Sequence, residues 1–148
     1  MSTQLYFIYD SHCPWSYAAT KLVEQVATHL PQISINYMHA LYYDGDALIT
    51  KKTIDSVIEL SEVKLGVSYL NTLGENKDAM LIANLLAWTE QKTEKDTLRT
   101  LKAIQQAHFI DGNPLTSTDD IAEILSSLKL SPPNKSLKSD KLTKDAEF

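Results

Sequence analysis

The chain has one cysteine, Cys13, in 148 residues, so it can form no intramolecular disulfide and no cysteine-rich metal site. Its histidines, His12, His29, His39 and His108, are scattered with no i,i+4 pair, so no metal site is predicted. No stretch of about 18 apolar residues is present, which excludes a membrane-spanning helix on pattern. Positive charge is not in excess: 14 Lys and Arg against 19 Asp and Glu give −5, with both signs interspersed. That balance argues against nucleic acid and against an anionic membrane as partners. The start, Met1-Ser2-Thr3-Gln4, lacks a basic region, a long apolar run and a small-residue cleavage site. It predicts an unprocessed, cytoplasmic protein. No internal repeat is found. What the chain does have is 43% apolar residues, enough for a core of its own.

Gln4 to Tyr9 is short, aromatic and aliphatic, and ends at Asp10-Ser11. It predicts a buried strand. Pro14 to Leu30 predicts a helix, because proline's missing N–H is no loss in a first turn. Leu22, Val23, Val26 and Leu30 mark its apolar face, and Pro31 stops it. Ile33 to Met38 alternates, with Ile33, Ile35 and Tyr37 on one side, and predicts a second strand. Short connections make this a βαβ unit with parallel strands. The helix N-terminus then lies at the carboxyl end of the first strand, where open α/β sheets place their sites.

Beyond Met38 the pattern turns helical. Leu41 to Thr53 predicts a loop turning at Gly45, and Ile54 to Leu65 a helix with Gly66 as its C′ residue. Asn76 to Gln91 is apolar around most of its circumference and predicts a central, buried helix. Glu94 to Phe109 predicts another, with Leu98, Leu101, Ile104 and Phe109 inward. Asp111-Gly112-Asn113-Pro114 is a turn signal. Ser117 and Asp120 form a candidate capping box for a last helix that buries Ile121, Ile124, Leu125 and Leu128 and ends at Pro132-Pro133. Asn134 to Phe148 is lysine-rich and polar, a candidate mobile tail.

The segment that carries chemistry is Tyr6-Phe7-Ile8-Tyr9-Asp10-Ser11-His12-Cys13-Pro14-Trp15-Ser16-Tyr17. A cysteine at a strand-to-helix turn faces the unbonded N–H groups of the first helical turn. Their partial positive charge favours thiolate over thiol. A protonated His12 nearby adds to this. The competing reading is a small buried core cysteine, but a position just before Pro14 lies outside the apolar stripe. The candidate catalytic residues are Cys13, Ser16 and His12. The candidate substrate-binding residues are Pro14, Trp15 and Tyr17.

This segment resembles the DsbA-like branch of the thioredoxin superfamily, which also holds FrnE and the kappa-class glutathione transferases. Members begin with a strand, an Asp, a Cys-Pro-aromatic-Cys-Tyr type of turn and a long helix; here stand Asp10 and Cys13-Pro14-Trp15-Ser16-Tyr17. Phe109-Ile110-Asp111-Gly112-Asn113-Pro114-Leu115-Thr116 resembles a stretch common near the end of the branch's helical insertion. The resemblance implies an α/β fold: a thioredoxin-like βαβ unit (1–44), a large helical insertion (45–130), and the start of the return to the thioredoxin-like domain (131–148). The branch continues with a cis-proline strand, another strand and a helix, roughly 30 residues or more. The 18 residues of 131–148 are too few for that C-terminal ββα part.

Ser16 stands where the branch has its second cysteine, the thiol that resolves a mixed disulfide. The resemblance therefore implies monothiol thiol–disulfide chemistry at Cys13, with an outside thiol such as glutathione as co-substrate and no bound cofactor. A second reading is a glutathione-dependent isomerase or transferase, of the kappa or 2-hydroxychromene-2-carboxylate isomerase type. Those relatives often read Ser-Pro-aromatic-Ser, which Ser16 matches and Cys13 does not. A third is a non-catalytic binding scaffold. Without the cis-proline strand, the first strand offers an unpaired apolar edge, which predicts a homo-oligomer through that edge.

Overall fold

The computed structural model describes residues 2–43, 48–75, 78–131, 141–144 and 146. The turn at Gly45, the start of the helix predicted from Asn76 and the stop at Pro132-Pro133 lie outside the described residues. Strand β1 runs Gln4–Tyr9, helix α1 Pro14–His29 and strand β2 Ser34–His39. The strands pair in parallel, Gln4 opposite Ser34 through Tyr9 opposite His39. Then come α2 (Lys51–Ser61), the short α3 (Val67–Leu70), α4 (Met80–Lys92), a 3₁₀ turn (Glu94–Asp96) and α5 (Thr97–Gln105). A π-helical segment (Gln106–Ile110) continues α5, and α6 spans Thr118–Ser127. This is an α/β architecture in which a βαβ unit precedes a helical array.

The main core joins the two parts of the chain. Phe7 and Tyr9 of β1 and Val23 of α1 pack with Ile82, Leu85 and Leu86 of α4, Leu101 and Ile104 of α5, and Ile121 and Leu125 of α6. Each such side chain contributes about 1.5–3 kcal/mol when fully buried. The residues buried along α4, from Leu81 to Leu86 and then Thr89, make it the central helix that its composition predicts. A second core gathers Ile49, Ile54, Tyr69 and Phe109, with Tyr17 and Tyr43 packed against it.

Several sequence expectations are corrected. β1 is not buried on both sides: Phe7 and Tyr9 point into the core, while Tyr6 is 58% and Ile8 67% exposed on the opposite face. The inner face of α1 is set by Thr20 and Val23, with Ala19 beside them, and Leu22 is 71% exposed. Leu22 lies about 100° around the helix from Val23, which here turns it toward solvent. Gly66 is not a C′ residue. Helix α2 ends earlier, at a left-handed Glu62 (φ 58°), and Gly66 is the extended N-cap of α3. Its N–H donates to the Phe109 carbonyl at 2.8 Å, and any Cβ there would overlap the Ile110 carbonyl. Glycine is required at 66 for close approach, not for its φ. At Gly112 a φ of 76° does require glycine, which fits the predicted turn. Ser117 caps α6 by accepting the Asp119 and Asp120 N–H groups. The tail is not free throughout: the buried Asn84 of α4 donates to the Lys141 carbonyl (3.0 Å) and accepts the Thr143 N–H (2.8 Å).

Candidate active site

Cys13 is the N-cap residue of α1, extended at φ −87° and ψ 119°, with Pro14 at the first helical position. Its thiol is free and partly exposed. Among the described residues, the N–H groups of Trp15 and Ser16 have no partner. Pro14 has none to offer, and the Tyr17 N–H goes to the Cys13 carbonyl at 3.0 Å. The helix mouth thus keeps open donors beside the cysteine, an arrangement that favours a negative charge there.

Each N–H in the turn that presents Cys13 is satisfied from within the protein. Asp10 N–H donates to Ser16 Oγ at 3.1 Å. Ser11 N–H donates to His39 Nε2 at 3.1 Å. His12 N–H donates to Asp10 Oδ1 at 2.8 Å. Cys13 N–H donates to the Asp10 carbonyl at 3.1 Å. The second carboxylate oxygen of Asp10 accepts the Tyr43 N–H at 2.8 Å, which pins the segment after β2 beside the turn. The Ser16 side chain is thereby structural as well as adjacent to the thiol, because its oxygen anchors the backbone at the end of β1.

Cys13 and Ser16 open onto a shallow pocket of about 390 Å³, shared with Ile8, Asp10, Tyr42 and Tyr43. The other predicted site residues do not line it. Trp15 is 40% exposed, and Pro14 is buried. Tyr17 stacks on Phe109, ring centroids 4.7 Å apart. His12 is fully buried; its Nδ1 lies 3.0 Å from Ser11 Oγ, and its ring meets His108 edge-on at 4.5 Å.

Residues that the sequence does not single out complete the surroundings. His39 ends β2, and its Nε2 also takes Ser11 Oγ at 2.8 Å. Burial pushes its imidazole down to about 4, against a smaller upward pull from the Ala40 backbone. It is therefore neutral near pH 7, as an acceptor of the Ser11 N–H must be. His108, whose Nδ1 donates to the Asn113 carbonyl at 2.9 Å, joins His12 to the buried Tyr69. The phenols of Tyr43 and Tyr69 are raised first by burial and next by charge on Cys13, so both lie close enough to feel it and stay protonated. Strand register carries the one signal that could have exposed His39, since its partner Tyr9 immediately precedes the reactive turn.

With this geometry in view, comparison with solved structures decides the fold. A protein from Nitrosomonas europaea, provisionally named a protein disulfide isomerase, superimposes with a TM-score of 0.80 at 12% identity, over 99% of this chain and 75% of that one. The chain shares the fold of that structure, which is the thioredoxin-like arrangement that the DsbA-like resemblance of the sequence implies. A second neighbour is the cytosolic disulfide reductase DsbM from Pseudomonas aeruginosa, with a TM-score of 0.71 at 17% identity over 86% of this chain and 64% of that one. The same reductase with GSH gives 0.70 at 16% identity, over 86% and 65%. The chain therefore spans about two thirds to three quarters of the length of these neighbours. No protein-family model and no curated protein matches it.

Proposed function

We propose that this chain carries the reactive thiol of a thiol–disulfide oxidoreductase that works through a single thiol. The observation that carries the reading is Cys13 as a partly exposed N-cap on a turn whose N–H groups are already engaged, beside open donors of α1. The Cys13 thiolate attacks one sulfur of a substrate disulfide. A Cys13–substrate S–S bond forms as the substrate bond breaks, and the displaced sulfur leaves as a thiolate. Ser16 offers no second thiol, so an outside thiolate attacks the mixed disulfide and returns Cys13 to its starting state. Glutathione is the outside thiol we propose, and the DsbM structure with GSH supports that choice. Tyr43 and Tyr69 are neutral O–H groups near the charge that develops on sulfur. A cytoplasmic setting, as in the neighbour named cytosolic, belongs to the same proposal.

The test is incubation with oxidised glutathione followed by intact mass measurement. One glutathionyl adduct at Cys13, released by reduced glutathione and absent from Cys13→Ser, is the expected result. A wild-type protein that forms no adduct while iodoacetamide labels Cys13 only as fast as a free peptide thiol would leave a binding scaffold as the better reading.

A further inference from the structure

A chain of three side chains runs from β2 into the turn before Cys13: His39, Ser11 and His12. Ser11 and His12 are fully buried. One contact fixes where the hydrogens along this chain sit. The Ser11 N–H meets His39 Nε2 at 3.1 Å, and a backbone N–H can only donate, so that nitrogen carries no hydrogen. The Ser11 hydroxyl oxygen lies 2.8 Å from the same bare nitrogen. Two lone pairs would repel at that distance, so the hydroxyl hydrogen is directed at His39. A hydroxyl has one hydrogen to give. Toward His12 Nδ1, 3.0 Å away, Ser11 Oγ is therefore the acceptor, and Nδ1 carries the hydrogen.

The neutral His12 ring is thus left with Nε2 as its basic nitrogen, the reverse of the tautomer that a solvated imidazole prefers. Which nitrogen of a histidine is protonated is set by the hydrogen bond the other makes, and here that bond is dictated from another element. The titratable groups that face the chain come from each element packed on it. The Tyr9 ring of β1 meets His39 at 5.2 Å. Asp10 accepts the His12 N–H, and the His108 ring of the π-helical segment meets His12 edge-on, with Tyr69 of α3 on its other side. His12 immediately precedes Cys13, and the Ser11 N–H is one of the bonds that hold the turn. The acceptor on β2 therefore reaches the thiol through both.

We propose that His39 is a positioning residue for Cys13: its bare Nε2 takes the Ser11 N–H and O–H, and through them fixes the turn and the tautomer of His12. The inference rests on Cys13 as the reactive thiol, but its readouts need no disulfide exchange. Three variants of the full chain test it. His39→Leu removes the acceptor, His39→Gln restores one through its amide oxygen, and Ser11→Ala keeps the N–H while removing the hydroxyl. NMR of the imidazole nitrogens at neutral pH reads the tautomer, and iodoacetamide labelling reads the thiol. Wild type and His39→Gln should hold His12 with its hydrogen on Nδ1, whereas His39→Leu and Ser11→Ala should release it to Nε2. Cys13 should label about threefold more slowly, or worse, in His39→Leu and recover to within about twofold of wild type in His39→Gln. Ser11→Ala leaves the backbone bond in place and carries the tautomer test if His39→Leu fails to fold. A wild-type His12 with its hydrogen on Nε2, an unaltered tautomer in whichever of His39→Leu and Ser11→Ala folds, unaltered labelling in His39→Leu, or a His39→Gln as slow as His39→Leu would each overturn the proposal. A protein that meets these expectations yet forms no glutathionyl adduct would support it while overturning the function proposed for the thiol.

Discussion

Protonating His39 would turn its Nε2 from acceptor into donor, facing the Ser11 N–H that it now receives at 3.1 Å. The folded protein resists that change, since burial holds the imidazole near 4 while an unfolded histidine titrates near 6.5. Between those values the unfolded chain binds the extra proton. The contribution of His39 to stability is therefore complete above about pH 6.5 and is lost as the pH falls toward 4, by about 3 kcal/mol in all. Denaturant melts of wild type and His39→Gln from pH 7 to 4 check this, and the mutant should lack that part of the slope. Glu90, whose carboxyl is raised, works in the opposite sense in both proteins and cancels in the difference. Ser16 makes a second prediction at this scale. Ser16→Cys places thiols at the N-cap and one helical turn later, so mild oxidation should join them. The reduced variant should lose about 1 kcal/mol, because sulfur is a weak acceptor for the Asp10 N–H. Free-thiol counts and melts of both redox states measure the two effects.

At the scale of elements, the connection from α2 to α3 depends on the bare backbone of Gly66 against Ile110. Gly66→Ala should cost about 3 kcal/mol or more by forcing that contact apart, measured as a lowered Tm with Gly66→Ser at least as damaging. The position also shows where sequence patterns stop. Periodicity and punctuation suffice for β1, α1 and β2, whose bounds fall within a residue of those expected, because these features are local. The Ser117 cap is local in the same way. Gly66 instead answers to a carbonyl more than forty positions away, and nothing adjacent to it in the chain records that contact. The π-helical segment is similarly hidden. It carries His108 and Phe109 into the interior, and no residue pattern in the sequence marks the switch from α to π turns. The candidate site divides along the same line. Cys13, Pro14 and Ser16 are legible from their order alone. His39, Tyr43 and Tyr69 arrive through strand register and tertiary packing, and their own neighbours in sequence mark none of them.

The whole molecule shows one sheet face that its core leaves open. Tyr6 and Ile8 lie exposed on β1, and among the described residues no strand pairs with the edge of β1 opposite β2. The described tail residues lie on α4, through Asn84, rather than on that edge. We propose association of two copies through β1. Light scattering across a concentration series should show it, and Ile8→Lys should shift the population to monomer with little change in Tm; a wild-type monomer at every concentration would count against it. A different consequence follows from the engaged turn before Cys13. Its amide protons are held by a side chain of α1, a side chain of β2 and Asp10 itself. The Asp10 and Ser11 amides can meet solvent only when α1 and β2 draw away from the turn, and those of His12 and Cys13 only when the turn around Asp10 itself opens. Measured by deuterium uptake, residues 10–13 should behave as part of the slowest-exchanging core and not as a loop. A reagent that meets Cys13 therefore meets a fixed target, and the ordering cost of presenting the sulfur is borne during folding and not at each encounter.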